Sequence, residues 1–535
     1  MFPWNFKNSR RDTRRSSGEQ PQGREAAKAG KQPLSLRLDE NLDRIREELG
    51  NSPDITIRSF KVDGFDVQAA AVYTDGITDK TMVSNFILHS IMSSSLHKRA
   101  DSGHSSLSRH IRDNALAVGE VSTARDWQDV ILAVLSGDTV LLVDGSAEAM
   151  VCGTRGGEMR SVTEPSSQVV IRGPKDGFTE SIATNVALVR RRIRSPHLLL
   201  ESMKLGAVTQ TDVAIMYIRG LANDKIVEEV RRRLHSIETD AILESGYIEQ
   251  FIEDDTSTLF PTLYNTERPD SIAGNLLEGR IAVFVDGTPF VLIAPTTFFM
   301  FFQSAEDYYQ RFEVATAIRV LRHAAFLISL FVPSIYIAAI TFHHEMVPTL
   351  LLISLAAQRE GVPFPAFIEA MIMEVTFEIL REAGIRMPRA IGQAVSIVGA
   401  LVLGQAAVEA GIISSAMVIV VALTGISSFS TPAYNLSLSI RLIRFLMMAC
   451  AGLLGFYGIM ILSIILLAHM CALRSFGIPY MTPFGPFIMQ DQKDSLLRIP
   501  LGSLFSRPRL VNQKNTIRME PAGSSDDSKD GGNSS

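Results

Sequence analysis

Hydrophobic and polar positions follow two regimes along this chain. Up to about His323 they are interleaved. From Ala324 to Leu473 the polar positions thin out and leave four runs without a charged residue: Ala324–Phe342, Ile391–Val408, Ala410–Ile440 and Phe445–Leu473. The runs are 19, 18, 31 and 29 residues long. A helix needs about 20 apolar residues to cross a hydrocarbon core of ~30 Å, and none of the runs has the polar face of a soluble surface helix. Ile391–Val408 is marginal in length, and the aliphatic stems of Arg389 and Glu409 extend it. Met346–Ala357 fits either a short span or a re-entrant hairpin. The pattern predicts an all-α polytopic membrane domain over residues 313–475.

Between Leu34 and Glu313 the pattern mixes strand and helix periods. Thr139–Val143 and Ile281–Val285 read as strands ending at Asp-Gly turns. Lys80–Ile91, Asp126–Leu135, Ser181–Leu199 and Lys225–Leu234 have helical spacing. A repeat is visible. Val72-Tyr73-Thr74-Asp75-Gly76-Ile77 matches Met216-Tyr217-Ile218-Arg219-Gly220-Leu221, and Gly137 precedes Val143-Asp144-Gly145 as Gly279 precedes Val285-Asp286-Gly287. The Tyr-to-Asp spacing is 71 and 69 residues. The expectation is an α/β soluble N-terminal region of two similar subdomains, 39–200 and 201–312. The Asp-Gly pairs are read as turn chemistry, with Gly taking the positive φ.

Composition alters this picture only when it is divided. The net charge is −5 and 20% of residues are charged, which excludes a globally basic nucleic-acid binder. Residues 324–473 hold thirteen charges where the average predicts thirty. Residues 1–38 form a basic arm with no signal-peptide core, read as disordered and solubilising. Residues 476–535 are a tail, Gly/Ser/Asp-rich at its end. Cys152, Cys450 and Cys471 support neither a disulfide framework nor a zinc site. No HExxH, GxSxG or P-loop spacing occurs, so no catalytic residue, metal ligand or cofactor is expected.

One soluble loop stands apart. Arg172, Gly173, Pro174, Gly177, Phe178 and Glu180 lie in a tight segment of both charge signs, followed by a helix carrying Asn185 and Arg190-Arg191-Arg192. It reads either as a subunit contact or as a ligand loop at a helix N-terminus.

Several long motifs occur in order: Gly361-Val362-Pro363-Phe364-Pro365-Ala366-Phe367-Ile368-Glu369-Ala370, Leu380-Arg381-Glu382-Ala383-Gly384, Arg386-Met387-Pro388-Arg389, Gly399–Val408 and Pro479-Tyr480-Met481-Thr482-Pro483-Phe484-Gly485-Pro486. With Arg172–Glu180 and Asn185–Arg192 they resemble the A subunit of spore germinant receptors, the GerA family, over about Asn41 to Arg509. The resemblance implies a receptor in the inner membrane of the bacterial endospore. Its partners would be a transporter-like B subunit that binds the nutrient and a lipoprotein C subunit, with no nucleic acid. The A subunit would be a homo-oligomer forming a ligand-gated channel for monovalent cations. Two alternatives stay open: a paralogous A-type channel subunit associated with dipicolinic acid release, and a non-conducting scaffold for the B and C subunits.

On that reading the pore-lining candidates are Gln393, Ser396, Ala400, Val402 and Gly404. Small and amide residues occupy one stripe of their helix, and Ile391, Val395, Val398 and Val402 the other. A wettable pore with an apolar gate and close helix packing both fit that pattern. Glu374, Glu378 and Glu382 step by four as an acidic stripe, either a cation-concentrating vestibule or the wet face of a helix in the membrane interface. Pro363, Phe364 and Pro365 read as a hinge or re-entrant turn. Clusters at Arg311/Arg319/Arg322, Arg381/Arg386/Arg389 and Arg441/Arg444 should be cytoplasmic by the positive-inside rule. The soluble half is then cytoplasmic and the His343-His344-Glu345 turn outside, while the side of the tail stays open.

Overall fold

The computed structural model describes residues 32–62, 67–93, 118–156, 164–165, 167–387, 404–489, 491–511 and 515–519. One unit is built twice in the first half. It runs through helix α1 (Leu38–Glu48), strands β1 (Ile55–Lys61) and β2 (Gln68–Thr74), helical stretches Met82–Leu88 and His89–Ser93, strand β3 (Val121–Ala124), helix α2 (Trp127–Ser136) and strands β4 (Thr139–Val143) and β5 (Ala149–Cys152). The second copy holds α3 (Ile182–Arg192), β6 (Leu198–Leu205), β7 (Thr211–Ile218), α4 (Asp224–His235), α5 (Ser245–Ile252), β8 (Tyr264–Thr266), α6 (Pro269–Leu277), β9 (Ile281–Val285) and β10 (Val291–Ala294). Both sheets are antiparallel, in the orders β1-β2-β4-β5-β3 and β6-β7-β9-β10-β8.

The duplication reaches single side chains. Asp144 Oδ1 accepts the Leu38 N–H at 2.9 Å, and Asp286 Oδ1 accepts the Ile182 N–H at 3.0 Å. Each Asp of an Asp-Gly turn thus satisfies an orphan donor at the start of its own unit's first helix. Asn41 and Asn185 each accept from and donate to the backbone six residues upstream, at Ser35 and Thr179. Gly137 and Gly279 share φ of +93° and +92°. A Cβ on Gly137 would stand 2.6 Å from the Ile77 carbonyl oxygen, so the landmark glycine is a steric requirement.

The division between the subdomains moves upstream of 200. The helical pattern over Ser181–Leu199 ends at Arg192 and gives way to β6 at Leu198, because Pro196 between them cannot donate to a continuing helix. Helix α3 belongs to the second unit, where Val186, Leu188 and Val189 share a core with Ala214, Met216 and Phe284. That core continues into Leu330, Leu436 and Ile440 of the apolar half. The second subdomain therefore packs directly on the helix bundle.

The bundle comprises α7 (Phe312–Thr341), α8 (Thr349–Arg359), α9 (Ala366–Arg386), α10 (Gly404–Glu409), α11 (Ser415–Ser428), α12 (Tyr434–Leu454) and α13 (Phe456–Ala472). Helices α7 and α12 are long and apolar enough to cross a membrane. Leu327, Ile335, Leu442, Leu453 and Ile464 are exposed on the bundle's outside, an apolar surface suited to lipid. Helix α7 leaves the soluble half and ends beside the turn at Gly455, where His343 lies 5.0 Å from the Phe456 ring. Helix α13 returns, and His469 Nε2 meets Thr258 Oγ1 of the second subdomain at 2.9 Å. The His343-His344-Glu345 turn is therefore at the end of the bundle away from the soluble half.

Two runs divide differently from the hydropathy pattern. Phe445–Leu473 is not one helix: Gly455, at φ +60° and ψ −141°, turns the chain between α12 and α13. Ala410–Ile440 holds α11 and the start of α12. Arg441 and Arg444, expected to flank the last span, lie inside α12, roughly two and three turns from its start. Partners on α9 make that position tolerable.

Candidate functional site: buried charge in the helix bundle and at its foot

Helix α9 presents carboxylates to both neighbours. Glu374 is fully buried, 2.9 Å from Arg444 Nη2, and that nitrogen is also 2.9 Å from Glu378 Oε1. Arg441 and Arg381 each approach Glu378 at 3.3 Å. The Arg381 guanidinium lies over the Phe377 and Phe429 rings at 4.9 and 5.2 Å, where cation–π attraction partly replaces water. Three arginines face two carboxylates, a formal excess of one positive charge. Desolvating each such ion costs several kcal/mol, so a buried cluster is poor as a stabilising device. Nearer the Gly455 end, Glu369 is fully buried and accepts from the backbone N–H of Ser414 at 2.7 Å and from its hydroxyl. Ser414 in turn caps α11. Glycines let α9 approach both helices: a Cβ on Gly425 of α11 or Gly452 of α12 would stand 2.4 or 2.8 Å from Phe377 or Phe367.

A second cluster ties the foot of α7, the end next to the soluble half, to the tail. Asp307 is 3.2 Å from Arg319 Nη2 and 2.9 Å from Arg322 Nη1. Arg319 Nη1 reaches the Asp494 carboxylate at 3.0 Å and donates to its backbone carbonyl at 2.6 Å. Tyr308 donates to Asp494 Oδ2 at 2.7 Å, and burial with that carboxylate holds the phenol well above its ordinary pKa. Thr316 Oγ1 donates to the Arg498 carbonyl at 2.8 Å. Upstream, Ser475 Oγ donates to the Thr262 carbonyl and accepts from Thr296 N–H, at 2.8 and 3.0 Å. Fully buried Tyr480 packs among Phe298 and Phe301, and Phe298 and Phe302 meet Phe326 of α7. The tail is thus a strap gripping the second subdomain and α7 together, on the side of the soluble half. Asp494→Asn is expected to cost about 1.5–3 kcal/mol, the range for hydrogen bonds to charged groups. Thermal unfolding of the full chain measures it, and an unchanged midpoint would show that the strap does not bear on α7.

The expected site residues fall in different surroundings. Gln393, Ser396, Ala400 and Val402 lie outside the described residues. Gly404 opens α10, where a Cβ would be in ordinary contact with Val418 at 3.9 Å. Glu374 and Glu378 turn onto α12, whereas Glu382 is exposed and pairs with Arg386 at 2.6 Å. Pro363, Phe364 and Pro365 form the turn between α8 and α9, with Pro365 immediately before α9. The Arg172–Glu180 loop folds onto its own chain. Phe178 is buried edge-on to Phe284 at 5.8 Å, and its N–H donates to the Glu267 carbonyl at 2.8 Å. A Cβ on Gly173 would meet the Tyr309 ring at 2.7 Å, and the Pro174 carbonyl accepts from Arg268 at 3.0 Å. Gly177 is buried, the Glu180 carbonyl accepts from the Gly287 N–H at 2.8 Å, and the side chains of Arg172 and Glu180 stay exposed. Sequence reasoning gave no role to Asp494 and missed the inward roles of Arg319 and Arg444, since Asp494 is 175 residues from Arg319 and Glu378 is 66 from Arg444.

A duplicated antiparallel domain fixed by an aromatic joint and a strap to apolar helices with buried ion pairs defines a two-part, membrane-associated protein without a recognisable catalytic constellation among the described residues. The chain belongs to the family described as Bacillus/Clostridium GerA spore germination protein, whose pattern matches residues 43–510. It is 50% identical to spore germination protein KA of Bacillus subtilis, over 92% of this chain and 91% of that one. It is 40% identical to spore germination protein GerLA of Bacillus cereus, over 91% and 98%. The crystal structure of the N-terminal domain of the A subunit of the Bacillus megaterium spore germinant receptor GerK3 matches with 47% identity and a TM-score of 0.40, over 50% of this chain and 98% of that one. The resemblance seen in the motifs is borne out. Both relatives are named as spore germination proteins, and the solved domain is described as part of the A subunit of a germinant receptor.

Proposed function

We propose that this chain is the A subunit of a germinant receptor in the inner membrane of the endospore, with its soluble half cytoplasmic. It assembles with copies of itself into a nutrient-gated channel for monovalent cations, whose opening starts germination. A transporter-like B subunit recognises the nutrient and a lipoprotein C subunit completes the receptor. The observation that carries this reading is the Arg381–Arg441–Arg444–Glu374–Glu378 cluster buried between α9 and α12. Ionisable groups among membrane helices are costly and concentrate where ions pass or gates move. The arginines at the foot of α7 beside the soluble half agree with a cytoplasmic placement.

The direct test is single-channel recording from the purified oligomer in a planar bilayer. Changing Ala400 or Val402 to serine should add a constitutive cation leak, because a small polar side chain wets an apolar constriction. In spores the same variants should germinate without nutrient. A silent bilayer together with normal germination by both variants at normal abundance would favour the scaffold.

A further inference from the structure

Exposed apolar side chains and a group of carboxyls unpaired with lysine or arginine coincide around α5. Leu243, Tyr247 and Phe251 recur every fourth residue and are 63%, 44% and 52% exposed, with Leu259 nearby at 47%. Spacing by four sets the helical members on one face. Glu249, Glu253 and Asp255 lie among them, hydrogen-bonded to Asn265, Thr262 and Ser257 and without an ion pair to lysine or arginine among the described residues. Burial first, then Glu253 and Glu244, push Glu249 up to about 8, while the Ser257 hydrogen bonds hold Asp255 below its ordinary value. Burial, then Asp255 and Asp254, push Glu253 upward too. A cationic partner would favour the charged form of Glu249 and Glu253.

The location narrows the partner. Helix α5 borders the foot of α12: Glu249 shares a cavity of about 300 Å³ with Tyr434 and Asn435. Thr258, just beyond α5, meets His469 of α13. A helix lying on an anionic leaflet carries Lys and Arg at its edges, whereas this one carries carboxylates. The surface therefore fits a segment that is both cationic and aromatic, not lipid.

This chain contains such a segment. Residues 1–31 begin with Phe2, Trp4 and Phe6, continue with Arg10, Arg11, Arg14 and Arg15, and hold eight basic residues against three acidic. At about 3.3 Å per extended residue the segment can reach ~100 Å from Gln32, so reach sets no limit. We propose that the α5 surface is the docking site of the chain's own N-terminal arm. The aromatic head lies on the Tyr247–Phe251 stripe and the arginines face Glu249, Glu253 and Asp255. Docked there, the arm bridges the soluble half and the feet of α12 and α13.

The test is hydrogen exchange of residues 243–259 in the full chain, reconstituted in nanodiscs of zwitterionic lipid only. Against a variant with Arg10, Arg11, Arg14 and Arg15 changed to Gln, the native chain should exchange about tenfold more slowly there, equivalent to ~1.4 kcal/mol. The difference should vanish in 1 M salt, where the Debye length falls to about 3 Å. The triple change Glu249→Gln, Glu253→Gln and Asp255→Asn should red-shift Trp4 emission, with buried Trp127 as the constant background. Equal exchange in the native and arm-substituted chains overturns the proposal. So does protection that appears only when anionic lipid is added, which would assign the arm to the membrane.

Discussion

Replacing Arg190 with alanine is expected to destabilise the soluble half by about 3–5 kcal/mol, the cost of breaking a buried ion pair from one side. Arg190 is 2% exposed and its guanidinium binds Asp54 twice, Nε to Oδ2 at 2.7 Å and Nη2 to Oδ1 at 3.0 Å. It also reaches Ser52 Oγ at 2.9 Å and the Leu198 carbonyl at 2.7 Å. Asp54 and Ser52 belong to the first unit and Arg190 to the second, so this pair clamps the two copies to each other. The backbones are close there as well, since a Cβ on Gly76 would come 3.1 Å from the Ala183 carbonyl oxygen. Without the guanidinium, Asp54 is left charged and nearly waterless. Lysine should rescue little, since a point charge does not reproduce the bidentate fork. The double change Arg190→Leu with Asp54→Leu should recover most of the loss, because apolar side chains leave no charge stranded. Denaturant melts of the full chain followed by Trp127 fluorescence measure all three. A single-variant loss no larger than the ~1 kcal/mol of a surface pair would mean that the clamp is held elsewhere.

What was legible in the sequence follows from the range of the forces involved. The repeat was visible because its landmarks are local: Gly137 and Gly279 must take positive φ, and the Asp-Gly turns must close hairpins. That Asp144 and Asp286 also cap α1 and α3 was not visible, because each cap spans more than a hundred residues. Hydropathy marked the apolar half correctly, since lipid acts on every side chain of a span. It misplaced Arg441 and Arg444 because a window of consecutive residues contains no partner for them. Gly455 sits in an unbroken apolar run, and only the approach of His343 shows why the chain turns there. The three consecutive arginines Arg190, Arg191 and Arg192 are alike in the sequence, yet each has a different task. The first pairs with Asp54, the second donates to the Gly156 carbonyl, and the third pairs with Asp176. The strap was legible as a motif, Pro479–Pro486, but its role needed the foot of α7 to be in place.

The cluster between α9 and α12 gives the other large expected effect. Arg444→Leu leaves Glu374 fully buried without its partner, and the loss should again be about 3–5 kcal/mol, read as reduced receptor abundance in spores. That outcome alone does not separate a gate from a brace. The compensated variant, Arg444→Leu with Glu374→Leu, does. It removes one charge of each sign, keeps the excess of one positive charge through Arg381, Arg441 and Glu378, and should fold at near-normal abundance. If the cluster only braces α9 against α12, the compensated receptor should respond to nutrient as the native one does. If it holds a gate closed, removing the link between Arg444 and Glu374 should lower the free-energy difference between closed and open states. A change of ~1.4 kcal/mol shifts that balance tenfold. The expected result is germination at lower nutrient, or with none, and a raised open probability in the bilayer at unchanged unit conductance. Unchanged nutrient dependence and open probability at normal abundance would sink the gate and leave a purely structural ion pair.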